Sequence, residues 1–153
     1  MKVKQLTSEL KEFYSMIKVK YSEIDLNFLD CIEGSDYWDH CEALQDKHGI
    51  YIFADHSDEI LYIGKADLSH FNTRVWTHLG KPDKQAVNIY PSGKFANKKK
   101  WRGEAAEKII KGQFSIYGVS IAPNYWASIF EVFSQTIVMK NDKKRPPFNF
   151  RIG

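Results

Sequence analysis

The stretch HGIYIFADHSDEILYIGKA, residues 48–66, restricts the fold more than any other part of the chain. Residues 50–54 and 60–63 are rich in β-branched and aromatic side chains, and Asp55-His56-Ser57-Asp58-Glu59 between them is a polar turn. This spelling predicts a β-hairpin. Centred between His56 and Ser57, it sets Ile50 opposite Ile63, Ile52 opposite Leu61, Phe53 opposite Ile60 and Tyr51 opposite Tyr62. Strand side chains alternate between faces, so Ile50, Ile52, Leu61 and Ile63 share one face and the two tyrosines share the other. A slip of one residue would mix these sets. Two phenols side by side form either an ordinary aromatic cross-strand pair or a place for chemistry.

Upstream, residues 1–48 read as helical. Leu6, Leu10, Phe13 and Ile17 recur at helical spacing, with Thr7 or Ser8 as caps, and further segments follow over about 24–32 and 36–45. A boundary falls at His48/Gly49, which divides an acidic helical extension, 1–48, from a second unit, 49–153. Charge divides there too. Residues 1–48 carry six lysines and ten acids, while 49–153 carry sixteen basic and nine acidic residues. A basic body behind an acidic head suits a polyanionic partner met by the body alone.

Hydrophobic residues make up 43% of the chain and aromatics 14%, enough for a real core. Without a leader-like or long apolar segment, the expectation is a soluble cytoplasmic protein that does not span a membrane. Cys31 and Cys41 lie ten apart with no CxxC, which reads as two buried, reduced thiols. With His40 and His48 they match no standard zinc spacing.

Beyond the hairpin, residues 67–80 read as a helix with Phe71, Val75 and Leu79 as its core stripe and Gly80 as its stop. Arg74 and His78, four apart, lie on its flank, as cleft-lining residues or as an ordinary snorkelling Arg and surface His. Residues 81–112 are a lysine-rich excursion. There Trp101 stands among Lys94, Lys98, Lys99, Lys100 and Arg102, a pattern that suits phosphate contact and stacking, or simply a solvated loop. From Gly112 to Met139 only Glu131 is ionisable among Asp, Glu, Lys, Arg and His. The run FSIYGVSIA reads as a strand, and NYWASIFEVFSQTIVMK as a helix with Trp126, Ile129, Phe130, Phe133 and Ile137 as its core. A lone carboxylate in such a helix is costly unless it is paired, hydrogen-bonded or bound to metal.

Gly49-Ile50-Tyr51, then Tyr62-Ile63-Gly64, Arg74, His78, Glu131 and Pro147-Phe148-Asn149 follow one another in an order that resembles the GIY-YIG nuclease family. That family includes homing endonucleases, some restriction enzymes and the incision subunit of bacterial excision repair. The resemblance covers residues 49 to about 150. It implies an α+β fold: a small, mainly antiparallel three-stranded sheet (about 49–54, 60–64 and 113–121) flanked by helices. It implies a DNA endonuclease in which Tyr51 activates or positions the attacking water and Tyr62 binds phosphate or water. Arg74 would neutralise the scissile phosphate, Glu131 would hold one Mg2+ or Mn2+ per active site, and Asn149 would buttress the site. Lys65 and His78 match positions with proton-transfer or phosphate-contact duties. One magnesium ion keeps several waters, so a single carboxylate suffices when substrate phosphate completes its shell.

The resemblance stops short of specificity. No helix-turn-helix, zinc finger or basic zipper is legible, so selectivity must come from 81–112, from a homodimer or from a partner protein, or be low. The small size points to restriction, mobile-element or phage-conflict biology before structure-specific repair. A different class, a non-catalytic nucleic-acid-binding module, would usually lack the tyrosine, arginine or glutamate that are all present here.

Overall fold

The strand Phe114–Ala122 carries no charge, as a strand covered on both faces requires, and it is paired along both edges. The computed structural model describes residues 1–34, 46–79 and 113–149, without the side chains of 76–79. Among these, the elements run α1 (Val3–Lys18), β1 (Asp25–Phe28), β2 (Ile32–Glu33), β3 (Gly49–Asp55), β4 (Ile60–Ala66), α2 (Phe71–Leu79), β5 (Phe114–Ala122) and α3 (Ala127–Asp142). All described pairings are antiparallel, in the order β1-β5-β3-β4 with β2 also on β5, giving an α+β fold. The expected three strands are thus five. The two extra ones, β1 and β2, come from residues read as helix in the sequence. Ile24 and Leu26 are buried and Asp25 and Asn27 exposed, so period two prevails where a short segment also fitted a helical spacing. The segment 36–45 lies outside the described residues.

The sheet therefore runs across the expected boundary at 48/49. The start of α1 is also tied to the hairpin turn: Val3 N–H donates to Asp58 C=O at 3.0 Å and Ile60 N–H to Met1 C=O at 3.1 Å. Helix α1 begins at Val3 with Lys2 as its N-cap, earlier than the Thr7 or Ser8 expected.

Two cores form, one on each face of the sheet. On one, Ile50, Ile52, Ile63, Val119 and Ile121 meet Leu6 and Leu10 of α1 and Phe130 and Val138 of α3. Phe13 of α1 stacks on Phe133 at 4.1 Å between ring centroids. On the other face, Tyr51, Phe53, Leu61, Phe114 and Ile116 pack with Phe71 and Val75 of α2.

The polar turn lies where its residues predict it. Asp55 Oδ1 accepts the N–H groups of Ser57 (2.8 Å) and Glu59 (3.0 Å). The register differs by two residues. Tyr51 pairs with Gly64, Ile52 with Ile63 and Phe53 with Tyr62, followed by a bulge before Ala54 pairs with Ile60. The bulge leaves Leu61 without a partner position and turns it onto the tyrosine face, away from the aliphatic set expected for it.

Helix α3 corrects the expected core stripe as well. Ile129 is 48% and Val132 42% exposed, while Glu131, Ser134 and Gln135 are buried. Cys31 is a free thiol at the surface rather than buried, and Cys41 lies outside the described residues. No described helix is long and apolar enough to cross a membrane.

Candidate active site

Glycine at two positions explains the two tripeptides. Gly49 has φ +146°, and a Cβ there would lie 1.9 Å from the Val119 carbonyl oxygen. Gly64 pairs with Tyr51 on β4, and Gly118 pairs with it on β5. The central phenol thus has glycine on both neighbouring strands. A Cβ on Gly64 would stand 2.6 Å from both Cζ and Oη of Tyr51 and 2.7 Å from Cε1 of Tyr62. The close approach of two rings to a bare backbone makes the second glycine necessary.

Tyr51 is fully buried, with Tyr62 at 5.9 Å between ring centroids and a 37° tilt, and with Phe53 and Phe71 edge-on. In this register the tyrosines are diagonal rather than directly opposed. Burial pushes the Tyr51 phenol well above its usual pKa. The neighbouring Tyr62 adds to that rise, and the Arg74 charge opposes it. The Arg74 guanidinium donates to the Tyr51 hydroxyl, whose own O–H turns to Tyr62. Tyr62 is half-buried. Burial raises its pKa, the hydrogen bond from Tyr51 opposes the rise, and the negative charge of Glu131 adds to it. Tyr51 and Tyr62 thus feel each other and the Arg74 charge, and Tyr62 also feels the charge of Glu131.

Arg74 Nε also donates to the Lys65 carbonyl at 3.3 Å, which ties α2 to the end of β4. The Lys65 ammonium goes the other way. It pairs with Asp67 at 3.1 Å and donates to Ser128 Oγ at 2.7 Å, on the α3 side of β4. Lys65 thus joins the tyrosine network through its backbone. His78 follows Arg74 by one turn of α2, and its side chain lies outside the described residues. Lys94, Lys98, Lys99, Lys100, Trp101 and Arg102 also lie outside them.

The outer edge of β4 is met by the side chains of Asn149 and Gln135 and by the backbone of Phe148. Asn149 Oδ1 accepts the Ile63 N–H at 2.9 Å, and its Nδ2 donates to the Ile63 carbonyl at 2.7 Å. Phe148 N–H donates to the Leu61 carbonyl at 2.9 Å. Gln135 Nε2 donates to the same Ile63 carbonyl at 3.1 Å and to Glu131 Oε1 at 3.3 Å. Sequence reasoning passes over Gln135. Its position one turn after a lone carboxylate is the signal that could have found it.

Compared with protein families, curated proteins and solved structures, the chain has no significant match. The donor set is informative by itself. Among the described residues no three His, Cys, Asp or Glu side chains gather as a metal cage. Glu131, 6% exposed, offers one carboxylate beside a phenol. One hard oxygen ligand suits Mg2+ or Mn2+ completed by water and phosphate, and does not suit a structural zinc ion.

Proposed function

We propose that this chain is a DNA endonuclease of the GIY-YIG type that hydrolyses phosphodiester bonds with one Mg2+ or Mn2+ per site. The observation that supports the reading is the gathering of these residues around β4: the Tyr51 and Tyr62 rings lie 5.9 Å apart, Arg74 is held on the Lys65 carbonyl, and Glu131 is linked through Gln135 to the Ile63 carbonyl. Phosphodiester hydrolysis requires a positioned water, neutralised phosphate charge and a stabilised leaving oxygen. Arg74 is the cation for the phosphate. Tyr51, like any phenol, is protonated at neutral pH, and burial disfavours its ionisation further, so it serves as a hydrogen-bond donor that fixes Tyr62 rather than as a resident base. Tyr62, the less buried phenol, orients the attacking water or a phosphate oxygen. Glu131 holds the cation, which when bound supplies charge neutralisation at the phosphate and a more acidic water. Asn149 keeps β4, and with it Tyr62, in place. Lys94, Lys98–Lys100, Trp101 and Arg102 supply non-specific contact with the DNA backbone. Neutralising Lys98, Lys99 and Lys100 together lowers the log–log salt slope of binding by about 0.9 for each phosphate that these lysines engage.

The test is supercoiled, branched and single-stranded DNA incubated with the protein in Mg2+, in Mn2+ or in EDTA. The parent cleaves at least one form with metal and none with EDTA, and Glu131→Gln is inactive while melting near the parent temperature. Full activity of Glu131→Gln overturns the metal assignment.

The complete burial of Tyr51 favours a second reading, a non-catalytic nucleic-acid-binding module on the same fold. It predicts a parent protein that binds DNA, cleaves none of these forms and binds unchanged when Tyr51 is replaced by Phe.

A further inference from the structure

The face of α3 that meets β4 carries three buried polar side chains, Glu131, Ser134 and Gln135. Ser134 is satisfied within its own helix, since its Oγ donates to the Phe130 carbonyl at 2.6 Å. Gln135 reaches further. It is 1% exposed, and its Nε2 bridges two acceptors, the Ile63 carbonyl at 3.1 Å and Glu131 Oε1 at 3.3 Å. A buried amide costs free energy unless its hydrogens find partners, and an apolar side chain of the same size would fill the space without that cost. Here the amide's two partners are a strand edge already locked by Asn149 and the carboxylate assigned to the cation.

We infer that Gln135 is a positioning residue for the cation site at Glu131. This rests on the nuclease reading above. The amide fixes one carboxylate oxygen against the backbone of the residue that follows Tyr62, so the cation ligand and the phenol keep a constant separation. Groups that support a metal ligand in this way typically contribute about 10-fold to 100-fold in metal affinity.

The test is Mn2+ titration of the 15N-labelled full chain, read as paramagnetic broadening of amide signals around residue 131, for the parent, Glu131→Gln, Gln135→Met and Ser134→Ala. Gln135→Met should need about tenfold more Mn2+ for half-maximal broadening, and Ser134→Ala, an equally buried change on the same face, should match the parent. In DNA cleavage, the half-saturating Mn2+ of Gln135→Met should rise by the same factor while its rate at saturating Mn2+ stays within about twofold of the parent. Should Gln135→Met fail to fold, Gln135→Asn, whose amide is too short to span both acceptors, takes its place with the same expectation. A parent-like Mn2+ titration in the Gln135 variant, with broadening abolished in Glu131→Gln, overturns the positioning role and leaves the nuclease reading standing. No broadening near residue 131 in the parent, either free or with a short DNA duplex bound to supply phosphate, overturns both.

Discussion

The backbone of Gly64 lies against the ring of Tyr51, so that a Cβ there would stand 2.6 Å from the phenol oxygen. Gly64→Ala must therefore push the ring or open the sheet. Overpacking a filled core costs about 1–3 kcal/mol. Urea unfolding should show that loss, and cleavage should fall further than stability does, because the displaced group is the one that bonds Tyr62 and Arg74. A variant as stable and active as the parent would mean that the ring has room to move.

Tyr51→Phe and Tyr62→Phe separate packing from chemistry. Each keeps its ring and loses one oxygen. Both should melt within a few degrees of the parent. Each should lower the cleavage rate, with Tyr62→Phe at roughly 10²-fold or more, the scale of a missing proton-handling group, and Tyr51→Phe affected less because it acts through Tyr62. Parent-rate cleavage by Tyr62→Phe would return the pair to a purely structural role.

Asn149→Ala strips both hydrogen-bond partners that the side chain gives Ile63. A buried polar group left unmatched costs about 1–3 kcal/mol. The variant should be destabilised by that order, and the Ile63 amide should exchange with solvent faster than the amides of β3. Unchanged exchange at Ile63 would show that the edge is closed by other means.

The candidate site is legible through the resemblance to the GIY-YIG family rather than through spacing alone. Tyr51, Tyr62, Arg74, Glu131 and Asn149 stand out in the sequence because of their order around the paired tripeptides, and in the fold all five gather around β4. The turn at 55–59 is legible because its residues are polar and its flanks are not. The register is not, since the bulge at Leu61 turns that side chain into the cluster that includes Phe71 and Val75 of α2, which no local spelling records. Residues 24–32 read as helix because β1 and β2 exist only through pairing with β5, some ninety residues away. The inward face of α3 is hidden for a related reason. Three of its six buried side chains, Glu131, Ser134 and Gln135, are polar, and Gln135 serves the edge of β4, so hydrophobicity points to Ile129 and away from Gln135.

Asp67 supplies a pH test. Burial pushes its carboxyl up, but the hydrogen bonds from Lys65 and the Leu68 amide outweigh that, and its pKa lies below the usual value. A carboxyl depressed in the folded state stabilises the fold above its unfolded pKa, about 3.9, and loses that contribution as pH falls through the folded value. Asp67→Asn should therefore be less stable than the parent at neutral pH, and the gap should close below about pH 4. Urea midpoints for both proteins across this range check it. A gap as wide in strong acid as at neutrality would assign the effect to packing.

The pairing of β1 and β2 with β5 has a consequence for any shortened form of the protein. A chain begun at Gly49 would keep both tripeptides, Arg74, Glu131 and Asn149. It would also leave one whole flank of β5 with bare peptide groups, next to an apolar face no longer roofed by α1. Unprotected strand borders recruit one another, so such fragments should gather into insoluble aggregates. On that expectation the acidic first third of the molecule would act as a cover that keeps the basic remainder from sticking to itself.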